Sequence, residues 1–205
     1  MIALLHTLEA NKDKFEKIIR KVDSKVAIKH FVNENLLKTA LATGQSDSTS
    51  FKVEIEKIKK ENPSLIICTC STYGEDCDKE IDVYRIDRPI AEYIVQKYTR
   101  IGLAYAATST KKISERLLLD ISSNLEKDIT ILNCDCTEFW PNYEAKNYEA
   151  YEKGIAEKIK SIEPKVDVVF LAQASMENTK KHLSHLKKEV LASPEFGILQ
   201  LLKLK

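Results

Sequence analysis

Cys70 closes the most strand-like run of the chain, Leu65-Ile66-Ile67-Cys68-Thr69-Cys70, and Ser71, Thr72 and Gly74 follow it. The run is apolar until it turns polar at this thiol. In an open α/β sheet, ligands bind just beyond the carboxyl ends of the strands. A thiol in that place has the chemistry of a nucleophile or a proton carrier, with the thiolate as the reactive form. His6 ends a second apolar run, residues 2–6, and an imidazole titrates near neutrality. It reads either as a proton carrier or as a loop-orienting group.

The other cysteines are Cys68, Cys77, Cys134 and Cys136. Cys68-x-Cys70 and Cys134-x-Cys136 together hold four thiols, the number a structural zinc takes, but zinc ligand pairs usually have about two to four residues between them. Residues i and i+2 of a strand share one face, so each pair reads as a strand face, and no metal is expected. Cys77 lies in a polar segment and reads as exposed. Five cysteines are an odd count, which argues against a secreted disulfide framework and for a cytoplasmic location with reduced thiols.

The elements that must position these groups alternate. Strands are expected over residues 2–6, 25–32, 65–70, 82–86, 100–106, 129–134, 166–172 and 189–192. Helices are expected over 11–21, 34–41, 51–60, 89–97, 110–125, 148–162 and 178–186, with a last one from Pro194 and a short one around Asp76. Residues 43–49 read as a loop around Gly44. Alternating strands and helices imply parallel sheets covered on both faces. The second half repeats the logic of the first. The expected fold is therefore α/β, with two similar Rossmann-like domains and an active site in the cleft between them. The boundaries fall at 1–92, completed by the C-terminal 193–205, and at 93–192.

Composition excludes several classes. The chain has 205 residues and a net charge of +1, from 32 basic and 31 acidic side chains. Such a balance leaves no electrostatic footprint for nucleic acid or an anionic membrane. No apolar run approaches the ~18 residues of a membrane span. The N-terminus lacks the basic start and cleavage site of a signal peptide and reads as a strand.

Several segments, in order, resemble the aspartate/glutamate racemase superfamily, which also includes hydantoin racemases, maleate isomerases and arylmalonate decarboxylases. They are His6-Thr7, residues 30–37, Cys70-Ser71-Thr72, residues 85–92 and Arg100-Ile101-Gly102, then residues 169–176 and 190–194. The resemblance implies a cofactor-independent isomerase acting on a small carboxylate such as an amino acid. Two cysteines there face opposite sides of the α-carbon; one removes the proton and the other returns it. Cys70 matches the first, activated by backbone N–H groups of the following helix. The resemblance also assigns substrate binding to Thr7, Ser71, Thr72, Ser109, Thr110, Gln173 and Ser175. The place of the second cysteine falls on Gln173, an amide with no usable pKa. A one-cysteine decarboxylase or lyase, or a small-acid binding protein without turnover, is the alternative.

The remaining polar residues have quieter readings. His30 is expected to bond Glu34, Asn33 and Glu34 to cap the next helix, and Asp87 to cap the helix begun at Pro89. Trp140, Tyr143, Tyr148 and Tyr151 read as a partly buried patch, a lid, or a contact between copies of the chain.

Overall fold

The computed structural model describes residues 1–204. The chain divides into two units, Met1–Pro89 with the segment from Pro194, and Ile90–Ser193.

The first unit contains β1 (Ile2–His6), α1 (Ala10–Val22), β2 (Ile28–Val32), α2 (Glu34–Thr43), α3 (Ser48–Lys59), β3 (Leu65–Cys68), α4 (Gly74–Cys77) and β4 (Val83–Arg85). Its sheet runs β2-β1-β3-β4, all parallel. Every residue of β1 and β3 is buried, as strands covered on both faces must be. Phe15 and Ile19 of α1 sit at helical spacing and are fully buried. The stretch expected as a loop ends earlier than its composition suggests. Gly44 takes a left-handed conformation (φ 74°) to stop α2, and Asp47 Oδ1 accepts from the Ser50 N–H at 3.0 Å to start α3.

α5 (Arg88–Lys97) leads into the second unit: β5 (Arg100–Tyr105), α6 (Thr108–Asn124), β6 (Thr130–Asp135), α7 (Trp140–Glu144), α8 (Tyr148–Ile162), β7 (Val168–Leu171) and β8 (Glu189–Ala192). Its sheet runs β6-β5-β7-β8, again all parallel. The helix expected over 178–186 is instead a 3-10 segment, Ala174–His182, which starts directly after β7. α9 (Ser193–Leu201) returns the chain to the first unit. A Cβ on its Gly197 would stand 2.3 Å from the Ile86 carbonyl oxygen, so only glycine permits this approach.

The two sheets share one topology. In each, the first strand lies between the second and the third, so the chain reverses its direction of winding between the first and third strands. That reversal point is where an open α/β sheet leaves a crevice at its carboxyl edge. In the first unit it is bordered by His6-Thr7 and Thr69-Cys70. In the second it is bordered by Tyr105-Ala106-Ala107 and Ala172-Gln173.

Candidate active site

Cys70 is partly buried, with extended backbone (φ −108°, ψ 111°), and it immediately precedes the 3-10 turn Ser71–Tyr73. Gln173 has the same place in the second unit: extended (φ −124°, ψ 141°), after the third strand and before a 3-10 segment. The two residues are topological counterparts. One carries a thiol and the other an amide.

The expected backbone donor is present, since the Thr72 N–H bonds Cys70 and lowers its thiol, but burial outweighs it. Burial pushes its thiol up to about 11, and the neighbouring Cys68 adds to the rise. Hydrogen bonding with Thr7 and Thr72 opposes both without overcoming them. The helix beyond is also short, a 3-10 turn followed by the four residues of α4. Desolvation therefore outweighs the local donors, and Cys70 is a protonated thiol near neutrality. Thr7, Ser71 and Thr72 are all buried around this strand end.

The turn after Cys70 is anchored from below. A Cβ on Gly74 would stand 2.1 Å from Arg85 Cζ, so the guanidinium lies directly on the backbone of the turn. Arg85 donates to both Asp87 oxygens, at 2.7 and 2.9 Å, and to Asp78 at 3.0 Å. Asp87 stands directly before the first residue of α5, the position expected of a cap, and is also the buried partner of Arg85. Cys77 is fully buried, not exposed, because α4 turns it into the core beside Cys68. Arg85 escaped the sequence reading, since nothing local marks the guanidinium as inward-facing.

His6 is also fully buried, and both its ring nitrogens are engaged. Nδ1 lies 2.9 Å from Thr69 Oγ1, and Nε2 lies 2.8 Å from His30 Nδ1. Thr69 Oγ1 donates to the Leu5 carbonyl oxygen at 3.2 Å, which leaves it an acceptor for the His6 Nδ1–H. His30 Nε2 in turn lies 2.7 Å from Glu16 Oε2, so the two rings link Thr69 to Glu16. Burial, aided by the charges of His30 and Lys12, lowers the His6 pKa to about 3. His30 does not bond Glu34, whose Oε1 instead accepts from the Glu9 N–H. Asn33 makes no side-chain cap; its Nδ2 donates to Glu54. Thr69 is the member of this chain the sequence hid. It lies between Cys68 and Cys70, and strand alternation sends it to the opposite face.

In the second unit, Gln173 Oε1 accepts from the Ala106 N–H at 2.6 Å and the Ala107 N–H at 2.9 Å. Those are the backbone donors of the β5–α6 turn, and the Gln173 oxygen is their shared acceptor. Ser109 and Thr110 are buried in the first turn of α6. Ser175 Oγ lies 3.1 Å from the Tyr151 hydroxyl in a buried contact. Tyr151 belongs to the aromatic group: Trp140 stacks on Tyr143 (centroids 5.0 Å), and Tyr143 meets Tyr148 and Tyr151 at an angle. The cluster therefore packs on itself, with Trp140 and Tyr151 buried.

A cavity of about 170 Å³ opens in the first unit, lined by Asn33, Asn35, Leu36, Thr39, Asp47 and Ser50. Cys70 is not among its lining residues. Among the described residues no group of three or more His, Cys, Asp or Glu side chains is placed to hold a metal ion. Nor is any helix among them long and apolar enough to cross a membrane.

Fold and strand-end residues define a two-sheet parallel α/β protein with a thiol at the switch point of its first sheet. No protein-family model and no curated protein matches the sequence. Solved structures do match it along its length. The aspartate racemase of Picrophilus torridus superimposes with a TM-score of 0.76 at 11% identity, covering 98% of this chain and 92% of that one. Glutamate racemase from Francisella tularensis, solved with D-glutamate, gives 0.76 at 13% identity over 99% and 80%. Glutamate racemase from Aquifex pyrophilus gives 0.70 at 20% identity over 100% and 83%. The chain has the fold of these racemases.

Proposed function

We propose that this chain is a cofactor-independent enzyme of racemase type that moves a proton at the carbon beside a small acid's carboxylate, with Cys70 as the acting thiol. The observation that carries the reading is the place of Cys70: the switch point of a parallel sheet, next to the hydroxyls of Thr7, Ser71 and Thr72. These hydroxyl residues are the candidates to hold the carboxylate in the first unit, and Ser109, Thr110 and Ser175 in the second. His6 acts as a positioning residue. With a pKa near 3 it carries no extra proton to give at neutral pH, and its bond to Thr69 fixes the residue before Cys70.

One observation favours a second reading on the same scaffold. Gln173 stands where a second thiol would be needed, and its oxygen is already bonded to two N–H groups. A thiol raised to about 11 would lie about four units above neutral pH, so its thiolate costs about 5 kcal/mol to form at pH 7. The protonated form is suited to delivering a proton to one face of a carbanion, as a decarboxylase or lyase requires.

Incubation in deuterium oxide with a panel of small amino and 2-substituted dicarboxylic acids, followed by proton NMR, separates the readings. A racemase exchanges the α-hydrogen of both enantiomers. A decarboxylase releases carbon dioxide and places deuterium stereospecifically in its product. If neither occurs with acids that raise the melting temperature, the enzyme reading fails and a binding protein remains.

A further inference from the structure

The second pair of cysteines takes no part in the chemistry above. Cys134 and Cys136 lie at the end of β6 with their Sγ atoms 3.9 Å apart. The Cys136 thiol also lies 3.5 Å from the Cys134 carbonyl oxygen. Both sulfurs therefore sit together, as residues i and i+2 of a strand end do. The side chain of Asp135, between them, is engaged elsewhere: its Oδ1 accepts from the Thr137 N–H and hydroxyl. The Lys158 ammonium donates to the Asp135 carbonyl oxygen at 2.6 Å and so brings a positive charge to the pair.

We propose that Cys134 and Cys136 form an oxidisable dithiol, a modification site that a hydroperoxide converts to an intramolecular disulfide. The hydrogen bond from Cys136 lowers the Cys134 thiol below its ordinary range, and Lys158 helps, while burial opposes. Cys134 is thus the attacking sulfur. Its thiolate takes one peroxide oxygen as the O–O bond breaks, giving a sulfenic acid and releasing the other oxygen as water or alcohol once protonated. Cys136 then displaces the sulfenic oxygen as water and forms the S–S bond. Two thiols and one hydroperoxide give one disulfide and two oxygen-bearing products, water plus water or alcohol. The gap between the sulfurs must close to about 2.05 Å.

Burial sets the choice of oxidant. Cys134 is 4% exposed and Cys136 fully buried, which excludes bulky reagents. β6 is an edge strand that pairs only with β5, which leaves the pair one strand from the border of the sheet, and hydrogen peroxide is the small oxidant the proposal requires. Cys136 also donates its N–H to the Tyr105 carbonyl oxygen at 2.8 Å, which links the disulfide to the β5–α6 turn.

Peptide mapping tests this without any assay of turnover, so it stands or falls apart from the proposed function. Cleavage after Lys127 and Lys146 puts both cysteines, and no others, in peptide 128–146. The folded chain is treated with hydrogen peroxide, alkylated under denaturing conditions and digested. The expected peptide has lost two hydrogens, carries no alkyl group and regains both alkylation sites after dithiothreitol. In Cys136→Ser, Cys134 should stop at the sulfenic acid, trapped by dimedone. A peptide that remains doubly alkylated after peroxide treatment of the folded wild-type protein would overturn the proposal. Formation of overoxidised acids on both sulfurs in place of the bridge would also overturn it.

Discussion

Replacing Gln173 by alanine removes the single oxygen that two backbone N–H groups share. Ala106 and Ala107 are buried, at 1% and 2% exposure, so their donors have little access to water. Each buried donor left without a partner costs about 1–3 kcal/mol. Some water will follow the truncated side chain, which places the sum at roughly 2–4 kcal/mol. For a chain of this size the melting temperature should fall on the order of 5–15 °C. Circular dichroism melts would measure it. Gln173→Glu keeps the acceptor and should retain most of the stability at neutral pH, which separates loss of the bonds from loss of the amide. Small carboxylates such as formate or acetate should raise the melting temperature of Gln173→Ala by more than that of the wild type, because only the variant leaves the two N–H groups of the β5–α6 turn without their side-chain acceptor. An unchanged melting temperature in Gln173→Ala would refute the argument that this oxygen is the ligand of the turn.

Other expectations concern the first unit. Alkylation of Cys70 by iodoacetamide should be slow at neutral pH and rise through about pH 11, in step with its raised thiol; a plateau near pH 8 would mean burial does not dominate. His6 is held near 3 in the fold and titrates near 6.5 when unfolded, so its contribution to stability is present above pH 6.5 and lost as pH falls to 3. The loss amounts to about 4–5 kcal/mol across that window, and His6→Gln should flatten the acid side of the stability profile. Gly74→Ala drives a methyl into a guanidinium pinned by Asp87 and Asp78, at a cost of about 1–3 kcal/mol. Its unfolding midpoint in urea should drop, and Cys70 alkylation kinetics should change with it.

The alternation of strands and helices was legible because the inner strands β1, β3 and β7 are apolar runs and most helices carry a periodic face. The helix expected over 178–186 failed for a local reason. Gln173 begins a 3-10 segment at Ala174, and no periodic face marks such a turn. The strand-end thiol was equally plain, since Cys70 stands where buried sequence becomes polar. Its supports were not. Arg85, Thr69 and Tyr151 act through partners 2 to 64 positions away in the chain, Asp87, Leu5 and Ser175 among them. Single-residue chemistry does not encode such contacts. The activation of Cys70 was misjudged for a related reason: donors near a thiol can be listed from sequence, whereas the desolvation opposing them depends on the packed surroundings.

The central claim is that the Cys70 thiol moves the proton. The direct measurement is the rate of α-hydrogen exchange into deuterium oxide, for an acid that the wild-type protein turns over, compared between wild type and Cys70→Ala with circular dichroism confirming the fold of both. Loss of a positioned acid or base should lower the rate by roughly 10²–10⁴-fold. An exchange rate that survives the substitution unchanged would contradict the assignment and move the chemistry away from the end of β3.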